Sequence, residues 1–200
     1  MKNKRVGIFG GSFNPIHYGH LRLSECILKS GLVDEVWLMV SPQNPLKESR
    51  DLLGENSRYE MARIATKNNS RIVASNFEFG LPRPSYTWRT MKALEEKYPD
   101  FAFKIIIGAD NWQLMPKWAH HEELLRNYGF IVYPRKGFGI EDIGREDNVT
   151  VVKAPLFPFS STEIRSRIKK RESTEEMIPP EVAEIIRKNS FYKKSDDHVV

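Results

Sequence analysis

The stretch from residue 10 to residue 20 constrains most strongly what this chain can fold into. It reads GGSFNPIHYGH and lies between a short apolar run at residues 6–9 and an amphipathic segment at residues 21–29. This order predicts a buried strand, a glycine turn and a helix. Because Gly10 and Gly11 carry no Cβ, the backbone of the turn can approach a bulky anion closely. The helix N-terminus would offer that anion N–H groups and a positive dipole, so the stretch predicts a phosphate-binding site.

Two histidines, His17 and His20, follow the glycine turn. Their spacing of three places both on one face of a helix. Imidazoles in this position can donate hydrogen bonds to phosphate oxygens and, when cationic, oppose the negative charge that develops in phosphoryl transfer. The plainer interpretation is that two polar residues fix a turn. Their coincidence with a glycine turn at the end of a strand favours the functional interpretation.

The net charge and the single cysteine narrow the class of protein. A formal net charge of +5 suits a phosphate-rich partner, and it suits a basic surface in water equally well. Cys26 alone cannot form an internal disulfide, which fits a reducing compartment. No apolar run is long enough to span a membrane, and early glycines interrupt the apolar core that a signal peptide would need. We therefore expect a cytoplasmic enzyme or binding protein.

Short apolar runs alternate with helical segments almost throughout the chain. Apolar strands without polar alternation predict a mainly parallel sheet that is buried on both faces. The expected architecture is therefore a doubly wound α/β fold with helices on both faces and strand order 3-2-1-4-5. We expect one domain over residues 1–192 and a frayed tail at residues 193–200. The predicted strands are residues 6–9, 36–40, 71–74, 101–107, 130–133 and 149–152.

Several residues predict where helices begin. Ser57, Ser85 and Ser160 are candidate N-caps, because a serine hydroxyl can accept a hydrogen bond from an N–H group of the first turn. Pro180 predicts the start of the last helix. One helical stretch is expected across residues 112–125, where apolar side chains recur.

A second motif falls beside the first in this fold. Strands 1 and 4 are neighbours at the point where the strand order reverses, and ligands of open α/β sheets bind there, beyond the carboxyl ends of the strands. The glycine-histidine stretch follows strand 1, and Gly108-Ala109-Asp110 follows strand 4. Both motifs are therefore expected to line one crevice.

The third polar motif is SSTEIR at residues 160–165. Ser160 and Glu163 have the spacing of a capping box. A cap explains neither Ser161 nor Arg165, which are four apart and therefore lie on one side of the helix. A hydroxyl, a guanidinium and a helix N-terminus together make a clamp for an oxyanion.

Familiar cofactor and metal motifs are absent from the sequence. It has no G-x-G-x-x-G for a dinucleotide, no P-loop, no H-E-x-x-H and no cysteine cluster. His120 and His121 are adjacent, so they cannot share a helix face and are expected to be exposed or capping residues. A nucleic-acid-binding protein would need clustered basic and aromatic residues, whereas the basic run at residues 169–171 is short. We therefore expect no nucleic-acid partner.

Two of these motifs carry a resemblance to a known family. The patterns G-G-x-F-x-P-x-H-x-G-H and S-S-T-x-I-R resemble those of the nucleotidyltransferase superfamily. Among its members, the chain is most similar to the bacterial nicotinate mononucleotide adenylyltransferases. The matches keep the family's order from about residue 6 to residue 168, and they include residues 85–87, 108–110, 118 and 133–135.

The resemblance implies a Rossmann-like nucleotidyltransferase fold and direct adenylyl transfer from ATP to nicotinate mononucleotide, without a covalent enzyme intermediate. The products would be deamido-NAD and pyrophosphate, as in NAD biosynthesis, and the phosphates of ATP would hold the Mg²⁺ cofactor in place of protein ligands. Catalytic roles are implied for His17, His20 and Arg165. The implied ATP-binding residues are Gly10, Gly11, Ser12, Phe13, Gly108, Asp110, Arg135, Ser161 and Thr162. The implied acceptor-binding residues are Lys47, Ser85, Tyr86, Thr87 and Trp118.

Some alternatives stay open from the sequence. In relatives, a second proline and a histidine often precede the basic residue that matches Lys47, and without the resemblance Lys47 is a solvated loop lysine. Trp118 on its own could equally be a core aromatic of an amphipathic helix. The acceptor could be nicotinamide mononucleotide or phosphopantetheine, and the chain could be a nucleotide-binding regulator without catalysis. A homo-oligomer is also compatible with the sequence.

Overall fold

A parallel sheet organises the chain, which the computed structural model describes at residues 4–42, 52–140, 143 and 148–193. Over those residues the strands are β1 (Lys4–Gly11), β2 (Glu35–Val40), β3 (Ile72–Ser75), β4 (Phe101–Gly108), β5 (Gly129–Tyr133) and β6 (Val149–Val151). Their order is β3-β2-β1-β4-β5-β6, and each neighbouring pair is parallel. The predicted order 3-2-1-4-5 is confirmed, with β6 added beside β5.

The centre of the sheet is the pair of β1 with β4. Ile8 of β1 lies opposite Trp37 of β2 on one side and opposite Ile105 of β4 on the other. Strands β2 and β3 lie on one side of β1, and strands β5 and β6 lie beyond β4 on the other side. A crevice therefore opens at the carboxyl ends of β1 and β4, where the two halves of the sheet diverge.

Helices cover both faces of the sheet. In the described part of the chain they are α1 (Tyr18–Lys29), α2 (Glu55–Thr66), α3 (Thr87–Lys97), α4 (Ala109–Leu114), α5 (His121–Asn127), α6 (Ser161–Lys169) and α7 (Pro180–Lys188). Successive side chains of a strand point to opposite faces, so Leu38 and Met39 of β2 belong to different cores. Leu38 shares its core with apolar residues of α1, α2, α6 and α7, and Met39 shares the other with α3 and α5. None of the helices in these described ranges is long and apolar enough to cross a membrane.

Some predicted helix ends are confirmed and others are wrong. The Ser160 hydroxyl accepts from the Glu163 N–H at the start of α6, and α7 begins at Pro180, as predicted. Ser57 does not cap α2, because that helix already begins at Glu55 after Gly54. Ser85 does not cap α3 either, since the residue in the N-cap position is Tyr86.

The single helical stretch predicted across residues 112–125 is also wrong. Helix α4 ends at Leu114, a 3₁₀ turn follows at Met115–Lys117, and α5 begins at His121. Pro116 lies in that 3₁₀ turn and cannot continue an α-helix, because it lacks an N–H group and its ring clashes with the preceding turn.

One buried cation ties the connections around the crevice together. Arg58 of α2 has no solvent exposure. Its guanidinium donates to the backbone carbonyls of Ser12, Ser41, Pro42 and Leu53 at 2.7 to 3.0 Å. The turn after β1 and the connection after β2 are thus fixed to the start of α2.

Replacing Arg58 with methionine should lower the free energy of unfolding by about 3 kcal/mol, because buried carbonyls lose their donors. The midpoint of urea unfolding measures this change. Arg63→Met is the matched control on the same helix, where an exposed guanidinium pairs with Glu60, and it should leave the midpoint nearly unchanged. Equal losses in the two variants would contradict a stabilising role for the carbonyl network.

Candidate active site

A cavity of about 360 Å³ lies in the crevice at the carboxyl ends of β1 and β4. The ends of both strands form part of its wall, through Gly10, Gly11 and Gly108. The opposite part of the wall comes from the start of α3 and from the 3₁₀ turn after α4. The structure thus brings the motif after strand 1 and the motif after strand 4 to one cavity, as the sheet order predicts.

The two glycines of the first turn have different surroundings. A Cβ on Gly11 would lie 3.0 Å from the ring of Phe13, which is buried and has a positive φ of 44°. A Cβ on Gly10 would meet nothing within 4 Å. Gly11 therefore allows the turn to close on Phe13, while Gly10 presents bare backbone to open space beside the cavity.

The histidines are stacked on each other at the start of α1. His17 occupies the N-cap position with an extended backbone, and His20 lies in the first turn. Their ring centroids are 3.7 Å apart, and the backbone N–H of His17 donates to Nδ1 of His20 at 3.2 Å. The predicted arrangement on one helix face is wrong, because His17 precedes the helix; the rings meet by stacking. Since Nδ1 of His20 accepts, its ring proton in the neutral form is on Nε2.

The glycine between the histidines is required by their packing. A Cβ on Gly19 would lie 2.9 Å from two atoms of the His17 ring, closer than real Cβ atoms approach. The side of the His17 ring is also in edge contact with Phe159, at a centroid distance of 6.1 Å. Gly19 therefore lets the His17 ring pack against the backbone of α1, the helix that carries His20.

Burial keeps His17 uncharged in the free protein. It is 6% exposed, and its Nδ1 has no hydrogen-bond partner among the described residues. Burial, together with the charge of the nearby Arg135 guanidinium, lowers the pKa of His17 from its usual 6.5 to about 3. The ring is thus a neutral group held in a positively charged neighbourhood.

The end of β5 supplies that positive charge. Arg135 lies 4.9 Å above the Tyr133 ring, donates to the Tyr133 hydroxyl at 2.9 Å and approaches Asp110 at 3.6 Å. A Cβ on Gly108 would contact Asp110 Oδ1 and would lie 3.0 Å from Arg135 Nε. Gly108 therefore makes room for an ion pair between the end of β4 and the end of β5.

Helix α6 is attached directly to the first motif. Ser161 Oγ donates to the carbonyl of Pro15, and Arg165 Nη1 donates to the carbonyl of Asn14, both at 2.9 Å. Thr162 Oγ1 accepts from Arg165 Nη2 at 3.4 Å. Ser161 and Arg165 do face the same way, and they bring the N-terminal turn of α6 against the turn that follows β1.

The residues implied for the acceptor fall into two groups. Ser85, Tyr86, Thr87 and Trp118 all line the cavity. Lys47 lies outside the described residues. Among the residues implied for ATP, Gly10, Gly11 and Gly108 line the cavity. Phe13 is in edge contact with the His20 ring, which also contacts Phe9 of the cavity wall, and Arg135 lies near His17. Asp110 pairs with Arg135, Ser12 accepts from Arg58, and Ser161 and Thr162 begin α6, which is bonded to the turn after β1.

Glu78 is a cavity residue that the sequence reasoning missed. It is 7% exposed, and its carboxylate accepts from the Thr90 hydroxyl at 2.8 Å. Burial raises its pKa, while the hydroxyls of Thr90, Ser41 and Ser85 oppose that effect. A single acidic residue between two phenylalanines carries no sequence signal that would separate a buried carboxyl from an exposed one.

A metal ion bound by the protein would need several acidic, histidine or cysteine side chains close together. The described ranges hold no group of three or more histidine, cysteine, aspartate or glutamate side chains that could bind a metal ion. Asp110 pairs with Arg135 at the end of β5.

Comparisons with known proteins agree with this arrangement. The sequence model of the cytidylyltransferase-like family matches residues 8–167. A Cytophaga hutchinsonii protein named "Probable nicotinate-nucleotide adenylyltransferase" is 41% identical over 94% of this chain and 98% of its own. A Bacteroides thetaiotaomicron protein of the same name is 41% identical over 92% of this chain and 91% of its own.

A solved structure shares the fold. The Plasmodium falciparum nicotinic acid mononucleotide adenylyltransferase, complexed with NaAD, matches with a TM-score of 0.82 and 24% identity. The match covers 95% of this chain and 98% of that one. At this identity the likeness concerns the fold, including the six-stranded sheet around the crevice.

The buried His17 should make the protein less stable in acid. The unfolded chain takes up a proton on this ring near pH 6.5, whereas the folded protein does so only near pH 3, so stability falls as the pH drops from about 6.5 towards 3. The His17→Gln variant cannot take up that proton and should lose less stability over the same range. Urea midpoints of both proteins at pH 7, 5 and 4 measure the difference. Parallel losses would contradict a buried, uncharged His17.

Proposed function

Because the chain belongs to the cytidylyltransferase-like family and, within it, to the nicotinate-nucleotide adenylyltransferases, we propose that it transfers the adenylyl group of ATP to nicotinate mononucleotide. The products are deamido-NAD and pyrophosphate, a step of NAD biosynthesis. The observation that supports this most is the meeting of three motifs. Gly10 and Gly11 after β1 and Gly108 after β4 line one cavity, and the start of α6 is hydrogen-bonded to the turn after β1.

The reaction needs no nucleophilic side chain. A phosphate oxygen of nicotinate mononucleotide attacks the α-phosphorus of ATP in line, and the bond from that phosphorus to the oxygen bridging to the β-phosphate breaks. The electron pair of the broken bond leaves with pyrophosphate. Such a transfer depends on holding the reactants in line and on neutralising the charge of the phosphates.

The ATP side of the crevice supplies donors and positive charge. His20 can donate from Nε2, because its Nδ1 accepts from the His17 backbone. A triphosphate beside His17 adds negative charge, which favours the protonated ring and opposes the effect of burial on its pKa. Arg165 and Ser161 bring the α6 N-terminus to the same turn, where its N–H groups suit the β and γ phosphates. Asp110 and Gly108 meet the ribose of ATP, and Arg135 contacts the nucleotide from the end of β5.

ATP would bring Mg²⁺ to the crevice on its phosphates. The phosphates of ATP hold the ion, in keeping with its preference for phosphate oxygens and water over an all-protein cage. When bound, it neutralises phosphate charge during the transfer. The chain's part is to hold the triphosphate with Gly10, Gly11, Ser12 and Phe13, and with Thr162 on α6.

The acceptor side binds the pyridine ring. Thr87 is the first residue of α3, and it lines the cavity together with Ser85 and Tyr86. A helix N-terminus favours a carboxylate over a neutral amide, which gives nicotinate an advantage over nicotinamide. Trp118 provides an aromatic face for the ring.

Acceptor preference is the direct test of this function. With ATP and Mg²⁺, the protein should form a dinucleotide from nicotinate mononucleotide and release one pyrophosphate for each. Nicotinamide mononucleotide should react at a lower kcat/KM, and phosphopantetheine should not react. Separation of the products by chromatography, together with a pyrophosphate assay, measures all three. Equal or faster turnover with nicotinamide mononucleotide would contradict the nicotinate preference.

Removing one imidazole should separate an enzyme from a nucleotide-binding regulator. His17→Ala should lower kcat by about a hundredfold or more, the usual loss when a group that stabilises the transition-state charge is removed. His121→Ala, at the start of α5 and outside the crevice, is the matched control and should keep the wild-type rate. Circular dichroism should show both variants folded. An unchanged rate in His17→Ala would overturn the catalytic assignment.

Two further parts of the proposal rest on the sequence. We assign residues 1–192 to one catalytic domain in the cytoplasm, where a chain with a single cysteine stays reduced. We assign Lys47 to the phosphate of the acceptor because of its place in the connection after β2.

A further inference from the structure

Tyr192 lies far from the glycine-histidine turn in sequence and touches it in space. Its hydroxyl donates to Asn14 Oδ1 at 2.7 Å, a buried hydrogen bond that spans 178 residues. The ring is 8% exposed, and burial raises the pKa of the hydroxyl, so the group remains a proton donor. Residues 193–200 were expected to be a frayed tail, and nothing in the sequence distinguishes the tyrosine just before it.

Asn14 is the point at which several parts of the molecule meet. Its amide oxygen also accepts from the N–H of Leu53 at 3.3 Å, and its backbone carbonyl accepts from Arg165 Nη1 at 2.9 Å. Asn14 itself is 3% exposed and lies between Phe13 and Pro15 of the turn. A shift of Asn14 would therefore move the carbonyl that orients the Arg165 guanidinium.

The segment that carries Tyr192 is itself fixed. The N–H of Phe191 donates to the carbonyl of Ile186 at the end of α7, and Ile186 is buried in the core beneath that helix. The same part of the chain makes a second bond to the motif, from the N–H of Tyr18 to the carbonyl of Met177 at 2.9 Å. Tyr192 thus connects a packed helix to the turn; it is not an isolated surface contact.

We propose that Tyr192 is a positioning residue for the transfer reaction, which acts on the triphosphate through Asn14 and Arg165 without contacting either substrate. The proposal rests on the proposed function for its kinetic readout. Removing the hydroxyl frees Asn14 to shift, and displacements of this kind far from the reacting atoms lower the rate of chemistry. The acceptor side of the cavity is built from other elements, so its affinity should not change.

The variant Tyr192→Phe keeps the buried ring and removes only the donor. It should lower kcat about tenfold and weaken ATP binding, with the KM for nicotinate mononucleotide within about twofold of wild type. Tyr128→Phe is the matched control: its hydroxyl donates to Glu95 at 3.1 Å, and it is buried in the core on the other face of the sheet. Both variants should lose similar stability, but only Tyr192→Phe should lose rate.

A double-mutant cycle separates positioning from a general loss of stability. If Tyr192 acts through Arg165, then Tyr192→Phe should reduce kcat much less in the Arg165→Lys background than in the wild type. Additive effects, or equal effects of Tyr192→Phe and Tyr128→Phe, would overturn the proposal.

Failure of the proposed function would give a different result from failure of the positioning role. A wild-type protein that is inactive with every acceptor would reject the function and leave the binding test in place. Calorimetric titration with ATP then decides, since Tyr192→Phe should weaken binding several-fold and Tyr128→Phe should not. Equal ATP affinities in the wild type and both variants, or no ATP binding by the wild type, would overturn the positioning role.

Discussion

β1 lies between β2 and β4, and the connections that leave these strands cover opposite faces of the sheet. Two helix layers cannot both continue over the carboxyl ends of β1 and β4, so a crevice is left there. Every other feature of the site follows from this gap. The glycines at the two strand ends line it, α3 begins at its wall, and α6 is hydrogen-bonded to the turn after β1.

Two arginine side chains near the glycine-histidine turn are hydrogen-bonded to backbone carbonyl groups. Arg58 donates to four carbonyls, and Arg165 donates to the carbonyl of Asn14. A hydrogen bond to a carbonyl orients a guanidinium without cancelling its charge, as a carboxylate would. The region around the glycine-histidine turn therefore keeps a positive potential that suits a triphosphate, and the same bonds give the turn its shape.

The sheet order and the meeting of the motifs could be predicted because they follow from local patterns. Apolar runs without alternation specify buried parallel strands, and the strand order brings residues 10 and 108 together wherever a doubly wound sheet forms. The N-caps of α2 and α3 could not be predicted, since the chain uses Gly54 and Tyr86 where serines were available. Arg58, Glu78 and Tyr192 could not be predicted either. Their roles depend on partners that are distant in sequence, and a lone polar residue does not indicate whether it is buried.

The hydrogen bond between Tyr192 and Asn14 can form only late in the synthesis of the described chain. During synthesis on the ribosome, residue 192 is made 178 residues after residue 14 and follows all six strands of the described sheet. The strands can pair before this bond is possible. The turn after β1 therefore acquires its full set of bonds to Asn14 only after the described strands and α7 have all been made.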